Sequence, residues 1–108
     1  MVRVVIHNSY GGFTLSYAAT RWLAEKGDPE ARAHLADYPD EEEDFFGFDA
    51  DSLARHDALL IECVETLGKA AGENLVIRTL KNGNRYIIEE YDGWESITEP
   101  EDIHWITV

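Results

Sequence analysis

A single cysteine, three prolines and nine basic side chains are what this 108-residue chain has little of. One cysteine, Cys63, cannot form an intrachain disulfide, and such usage suits a reducing compartment, so a cytoplasmic location is expected. Long apolar runs are missing too. The opening Val2-Arg3-Val4-Val5-Ile6-His7 reaches Asn8 and Ser9 before a signal-like stretch with a cleavage site develops. Nowhere do about 18 apolar residues follow one another, as a spanning helix needs. Secretion and membrane insertion are therefore not expected. Bases are outnumbered, with 22 acidic side chains against nine Lys and Arg and a formal charge of -13. That field repels phosphate backbones and lipid headgroups, which excludes direct nucleic-acid and membrane binding from the expected partners. It attracts basic protein surfaces, including those that ordinarily hold nucleic acid.

Hydrophobic residues still make up 44% of the chain, enough for one packed core, and the length suits one domain and not two. Val2 to Ile6 is β-branched apart from Arg3 and reads as a buried strand. Leu15, Ala18, Ala19, Trp22 and Leu23 then recur at helical spacing, with Thr14 as a candidate cap and Gly27 as a stop. Asp28-Pro29 caps a short second helix to about Leu35, before Pro39. A third helix begins at Asp57 and buries Leu60, Cys63, Val64, Leu67 and Ala71, ending at Gly72. Beyond it, Leu75 to Leu80 and Arg85 to Tyr91 are β-rich around Lys81-Asn82-Gly83-Asn84 and should pair as an antiparallel hairpin. Asp92-Gly93 is a second turn, Trp94 to Thr98 a third strand, and Pro100 its end. Ile103 to Val108 either adds a strand or packs Trp105 and Ile106 on the sheet. The expected fold is a small α+β single domain over 1–108, an antiparallel hairpin or meander plus an N-terminal strand packed against two main helices.

Between Asp37 and Asp51 eight acids occur without one base, interrupted by Phe45, Phe46 and Phe48. The run reads as a solvated acidic loop, 37–51, whose phenylalanines either dock it onto the body or form an exposed partner site. Metal ligation finds little support. His7, His34, His56 and His104 lack the His-x-x-x-His or Cys-x-x-Cys spacing that a zinc site uses, so neither metal nor cofactor is expected. Glu89 and Glu90 are strand neighbours pointing to opposite faces and do not converge for acid-base work. Cys63 falls on an apolar stripe, where a thiol is inert. No enzyme is expected.

Asn8-Ser9-Tyr10-Gly11-Gly12-Phe13 joins strand to helix. Its glycines either aim backbone amides at an anion or merely supply the positive φ of a tight turn. It is not a phosphate-binding P-loop, because the lysine and spacing are missing. Tyr10-Gly11-Gly12-Phe13 with Leu15-Ser16, Arg55-His56-Asp57 leading into Leu60 to Gly68, and Tyr86 to Glu95 together resemble a family of small proteins from bacteriophages and large DNA viruses. That family begins with a strand followed by a YGGF-x-L-S motif, and usually has proline after the aspartate, where Ala58 stands here. The resemblance covers about two thirds of the chain, and no activity is settled for the family. It implies a viral origin and a role against host defences.

These three blocks suggest one pocket lined by Ser9, Tyr10, Gly11, Gly12, Arg55, Asp57, Tyr91, Asp92 and Glu95. Arg55 would hold a phosphate or carboxylate, Tyr10 or Tyr91 would stack a base, and an acid would accept from ribose hydroxyls. The expected function is sequestration of a small nucleotide-like ligand. The alternatives remain that Arg55 pairs with an acid and Asp92-Gly93 is only a turn, in which case an acidic inhibitor of a basic host protein is the competing reading. A homo-oligomer is compatible with either.

Overall fold

The computed structural model describes residues 2–37, 47–50, 52–81 and 83–100. The expectations placed on the acidic run at 38–46, on Asp51, on Asn82 and on Trp105 and Ile106 within 101–108 lie outside the described residues. Along the chain come β1 (Arg3–His7), α1 (Tyr17–Glu25), α2 (Pro29–Ala36) and α3 (Ala58–Leu67), which runs into a 3-10 turn (Gly68–Ala71). They are followed by β2 (Leu75–Thr79), β3 (Ile87–Tyr91) and β4 (Trp94–Thr98). The fold is α+β; the described residues form three α-helices and two antiparallel two-stranded sheets, β1-β2 and β3-β4.

Local chemistry sets the helix ends. Asp28 accepts the Ala31 N–H at 2.8 Å with Pro29 next in the chain, and Asp57 accepts the Leu59 N–H at 2.8 Å. Gly27, with φ of 101°, lets the chain turn away after α1. The cap of α1 is Ser16 and not Thr14. Leu15 exchanges both backbone hydrogen bonds with Phe48, so the backbone is held extended there and helix can begin only beyond it. Ser16 Oγ then accepts the Ala19 N–H at 3.1 Å. Phe48, 3% exposed, is one of the phenylalanines expected to dock the acidic segment, and it does so against the His34 ring at 5.1 Å.

The hairpin expected around Lys81-Asn82-Gly83-Asn84 does not form. β2 pairs instead with β1, placing Val5 opposite Ile77 and Ile6 opposite Val76. The cause is burial: Val4, Val5 and Ile6 are 0%, 0% and 3% exposed, so β1 needs cover on both faces. A local Asn-Gly preference, within a propensity scale spanning about 1 kcal/mol, is outweighed by that demand. On one face Val5 joins Leu15, Leu23, Leu60 and Cys63 under the helices, with Leu75 and Ile77 packed alongside. On the other face Val4, Ile6 and Leu80 form a second core, covered by Tyr86, Ile88 and Ile97. The β3-β4 hairpin is thus an outer layer, separated from the helices by the β1-β2 sheet.

This layering predicts opposite outcomes for two isoleucines. Ile6→Ala should lower the unfolding free energy by about 2–5 kcal/mol. Ile87→Ala, at a position 53% exposed, should change it by no more than about 0.5 kcal/mol in urea titrations.

Candidate functional site

β1 uses only one edge for β2. Leu80 N–H donates to the Val2 carbonyl and Asn8 N–H to the Asn74 carbonyl, so even-numbered residues face β2 and Val5 and His7 direct their amides to the other edge. That edge is covered without a strand. Val5 N–H donates to the Arg55 carbonyl at 2.9 Å, Arg55 Nη1 donates back to the Val5 carbonyl at 3.3 Å, and His7 N–H donates to Glu95 Oε1 at 2.9 Å. Arg55 and Glu95 form a two-pronged pair, Nη1 to Oε1 at 2.6 Å and Nη2 to Oε2 at 2.9 Å. The guanidinium lies over the Phe13 ring with its carbon 3.6 Å from the centroid.

Arg55, expected to hold an anion, is therefore neutralised by Glu95, whose side chain is only 8% exposed. Glu95 itself spends both carboxylate oxygens on Arg55 and His7, and Asp57 spends Oδ1 on the cap of α3. Of the residues expected to line one pocket, these three hold the fold together. The sequence reading missed Phe13 as the surface beneath Arg55, because an aromatic contact across 42 positions has no local signature.

The glycine turn and the Asp92 hairpin do meet, backbone to backbone. Gly11 N–H donates to the Asp92 carbonyl at 3.1 Å. Asp92 and Gly93 have φ of 53° and 90°, the primed conformation that suits a two-residue hairpin loop, with Tyr91 opposite Trp94. A Cβ on Gly93 would lie 2.1 Å from the Gly12 nitrogen. Glycine there is a requirement of close approach as well as of φ. His7 Nδ1 lies 3.1 Å from the Gly93 carbonyl and Glu90 accepts the Gly93 N–H at 2.6 Å, so the turn is held from several sides. Ser9 opens the glycine turn and is half-buried.

This docking leaves an unusual surface. Pairing of Tyr91 with Trp94 and of Glu89 with Ser96 puts all four, with Ile87 and Thr98, on the face of the hairpin turned away from the core. Tyr91 is 77% exposed, Tyr10 60% and Trp94 41%. Tyr10 meets Trp94 edge to face, ring centroids 5.2 Å apart. A cavity of about 370 Å³ lies among Tyr10, Glu89, Glu90, Tyr91, Trp94 and Ser96. On the other side of Tyr10, a cleft of about 540 Å³ is lined by Gly11, Gly12, Ser16, Tyr17 and Lys69 among others.

No group of three or more His, Cys, Asp or Glu that could hold a metal ion occurs among the described residues. Cys63 is buried, its Sγ 3.8 Å from the Ala19 carbonyl. Desolvation pushes its thiol up to about 11. No helix among the described residues is long and apolar enough to cross a membrane. No protein-family model, curated protein or solved structure matches the chain.

Two predictions follow from this geometry. Glu95→Ala, which strands Arg55 and the His7 amide together, should cost about 3–5 kcal/mol in urea unfolding, and a double-mutant cycle with Arg55→Ala should show coupling between the two changes. Cys63 favours its neutral form in the folded state, so its contribution is full below the ordinary thiol value and is lost as pH rises towards about 11. Stability should accordingly decline through that alkaline window in wild type and less so in Cys63→Ala. Alkylation at about pH 8 should wait on unfolding.

Proposed function

We propose that this chain is a non-enzymatic, acidic binding protein that covers a basic surface of a protein partner, using the outward face of the β3-β4 hairpin. The observation that carries this reading is the exposure of Tyr10, Tyr91 and Trp94 beside two turns whose backbones are hydrogen-bonded to each other. Large aromatics on a preorganised surface are the usual anchors of protein interfaces, since they bury much area at small entropic cost. Glu89, Glu90 and Asp92 lie on the same hairpin, and no Lys or Arg follows Arg85 in the chain. Such a face accelerates encounter with a basic partner. The resemblance to phage and viral proteins would put that partner in a host cell and make the role an inhibitory one, and the net charge of -13 points to a protein that ordinarily binds nucleic acid.

A second reading keeps a small nucleotide-like ligand and moves it to the cleft beside Gly11 and Gly12. Its volume of about 540 Å³ falls within the range of small-molecule sites, and Tyr10, Tyr17 and Lys69 supply stacking surfaces and a cation. Arg55 has no part in it.

Capture from host lysate separates the two. The acidic-inhibitor reading expects nucleic-acid-binding proteins to be retained, to be released by excess duplex DNA, and to be lost as salt is raised. Capture that is indifferent to salt, or none, would overturn it. Calorimetry against nucleotides and ADP-ribose derivatives then tests the cleft, and a Lys69→Ala change should weaken any binding found there.

A further inference from the structure

We propose that the cavity among Tyr10, Tyr91, Trp94 and Glu89 is a seat for a single arginine side chain of the protein partner. This rests on the reading of the hairpin face as the binding surface and adds the group that is recognised. Three aromatic residues border the cavity, and Trp94 is already fixed edge to face against Tyr10. A cation over an aromatic face is attracted by the ring quadrupole, most strongly by tryptophan.

Glu89 supplies the counter-charge. It lies one step along the hairpin from the Tyr91 and Trp94 pair, on the same outward face and opposite Ser96. Among the described residues Glu89 has no ion-pair partner, whereas Glu95 is committed to Arg55, Glu65 to Arg3 and Glu25 to Arg21. Glu90 is less available, since one oxygen accepts the Gly93 N–H.

Arginine fits better than lysine. Its guanidinium is planar and weakly hydrated, so it can stack on a ring while its edge donates two parallel hydrogen bonds to one carboxylate. The molecule already contains that arrangement in the Arg55, Phe13 and Glu95 cluster, where one guanidinium lies on a ring and grips a carboxylate. In the outward cavity the rings and the carboxylate are present and the cation is to come from the partner. The cavity, about 370 Å³, accommodates a guanidinium with part of its stem. Charge complementarity points the same way, because a chain of net charge -13 draws in basic segments.

The test uses the full chain, isotope-labelled, and three blocked Gly-Xaa-Gly peptides in which Xaa is arginine, lysine or citrulline, the neutral isostere of arginine. The Trp94 indole resonance, assigned by its loss in Trp94→Phe, is followed during titration. The arginine peptide should shift it saturably, the lysine peptide should bind about three-fold or more weakly, and citrulline should leave it unmoved. Tyr91→Ala and Glu89→Gln should each weaken the arginine peptide by about three- to ten-fold, without disturbing the rest of the amide spectrum. Glu25→Gln, the same loss of charge on α1, should leave binding as it was. Equal binding of citrulline, equal binding of lysine, shifts that survive both hairpin variants, or no shift at all would overturn the proposal. If the arginine peptide binds while the lysate yields no basic partner, the seat stands and the inhibitory role falls. The reverse result removes the seat and leaves the role with another anchor.

Discussion

The salt bridge between Arg55 and Glu95 is the constraint on which the arrangement of layers depends. It sits on an edge of β1 that would otherwise present unpaired backbone groups: Glu95 accepts the His7 N–H, the Arg55 side chain donates to the Val5 carbonyl, and the Arg55 backbone carbonyl accepts the Val5 N–H. An open edge invites further strands, so the clamp also blocks extension of the sheet on the β1 side. Because Glu95 belongs to β4 and Arg55 leads into α3, the same contact ties the outer hairpin to the helical layer across the sheet between them. Removing either partner would leave a charge in a place from which water is largely excluded, where the loss exceeds that of an exposed pair.

A second consequence is the position of the aromatic face. Once Glu95 is anchored, the strand period sends Trp94 and Ser96 to the opposite side, away from the core. The hairpin turn is then brought against the glycine turn, where the Gly93 backbone approaches Gly11 and Gly12 more closely than a side chain on Gly93 would allow. Glycine at 93 thus serves contact between two backbones, whereas Gly11 and Gly12 serve the positive φ of their turn. The same contact holds Tyr10 and Trp94 together at the surface, so the proposed binding face is a product of the packing that secures the fold.

Much of the local structure was legible in the residues. Asp28-Pro29, Gly27, Asp57 and the Asp92-Gly93 turn all occur where capping and turn chemistry place them, and Cys63 is buried as its helical spacing implies. The glycine turn and the Asp92 hairpin, which the motifs place together, do meet. Other expectations gave way to longer-range effects. The Asn-Gly pair did not join β2 to β3, since β1 required β2 as its neighbour. Thr14 did not cap α1, since Leu15 was held by Phe48.

What the sequence by itself determined is the helices and strands of the described residues, the caps at Asp28 and Asp57 and the excess of negative charge, because caps, turns and periodicity act over a few neighbouring residues. Only the tertiary structure decided which strand lies beside β1, which acid meets Arg55 and which aromatics stay at the surface. Those outcomes depend on burying both faces of one strand at once and on polar groups that meet across 40 and 88 positions, and no local pattern encodes a choice among 22 acids for a single guanidinium.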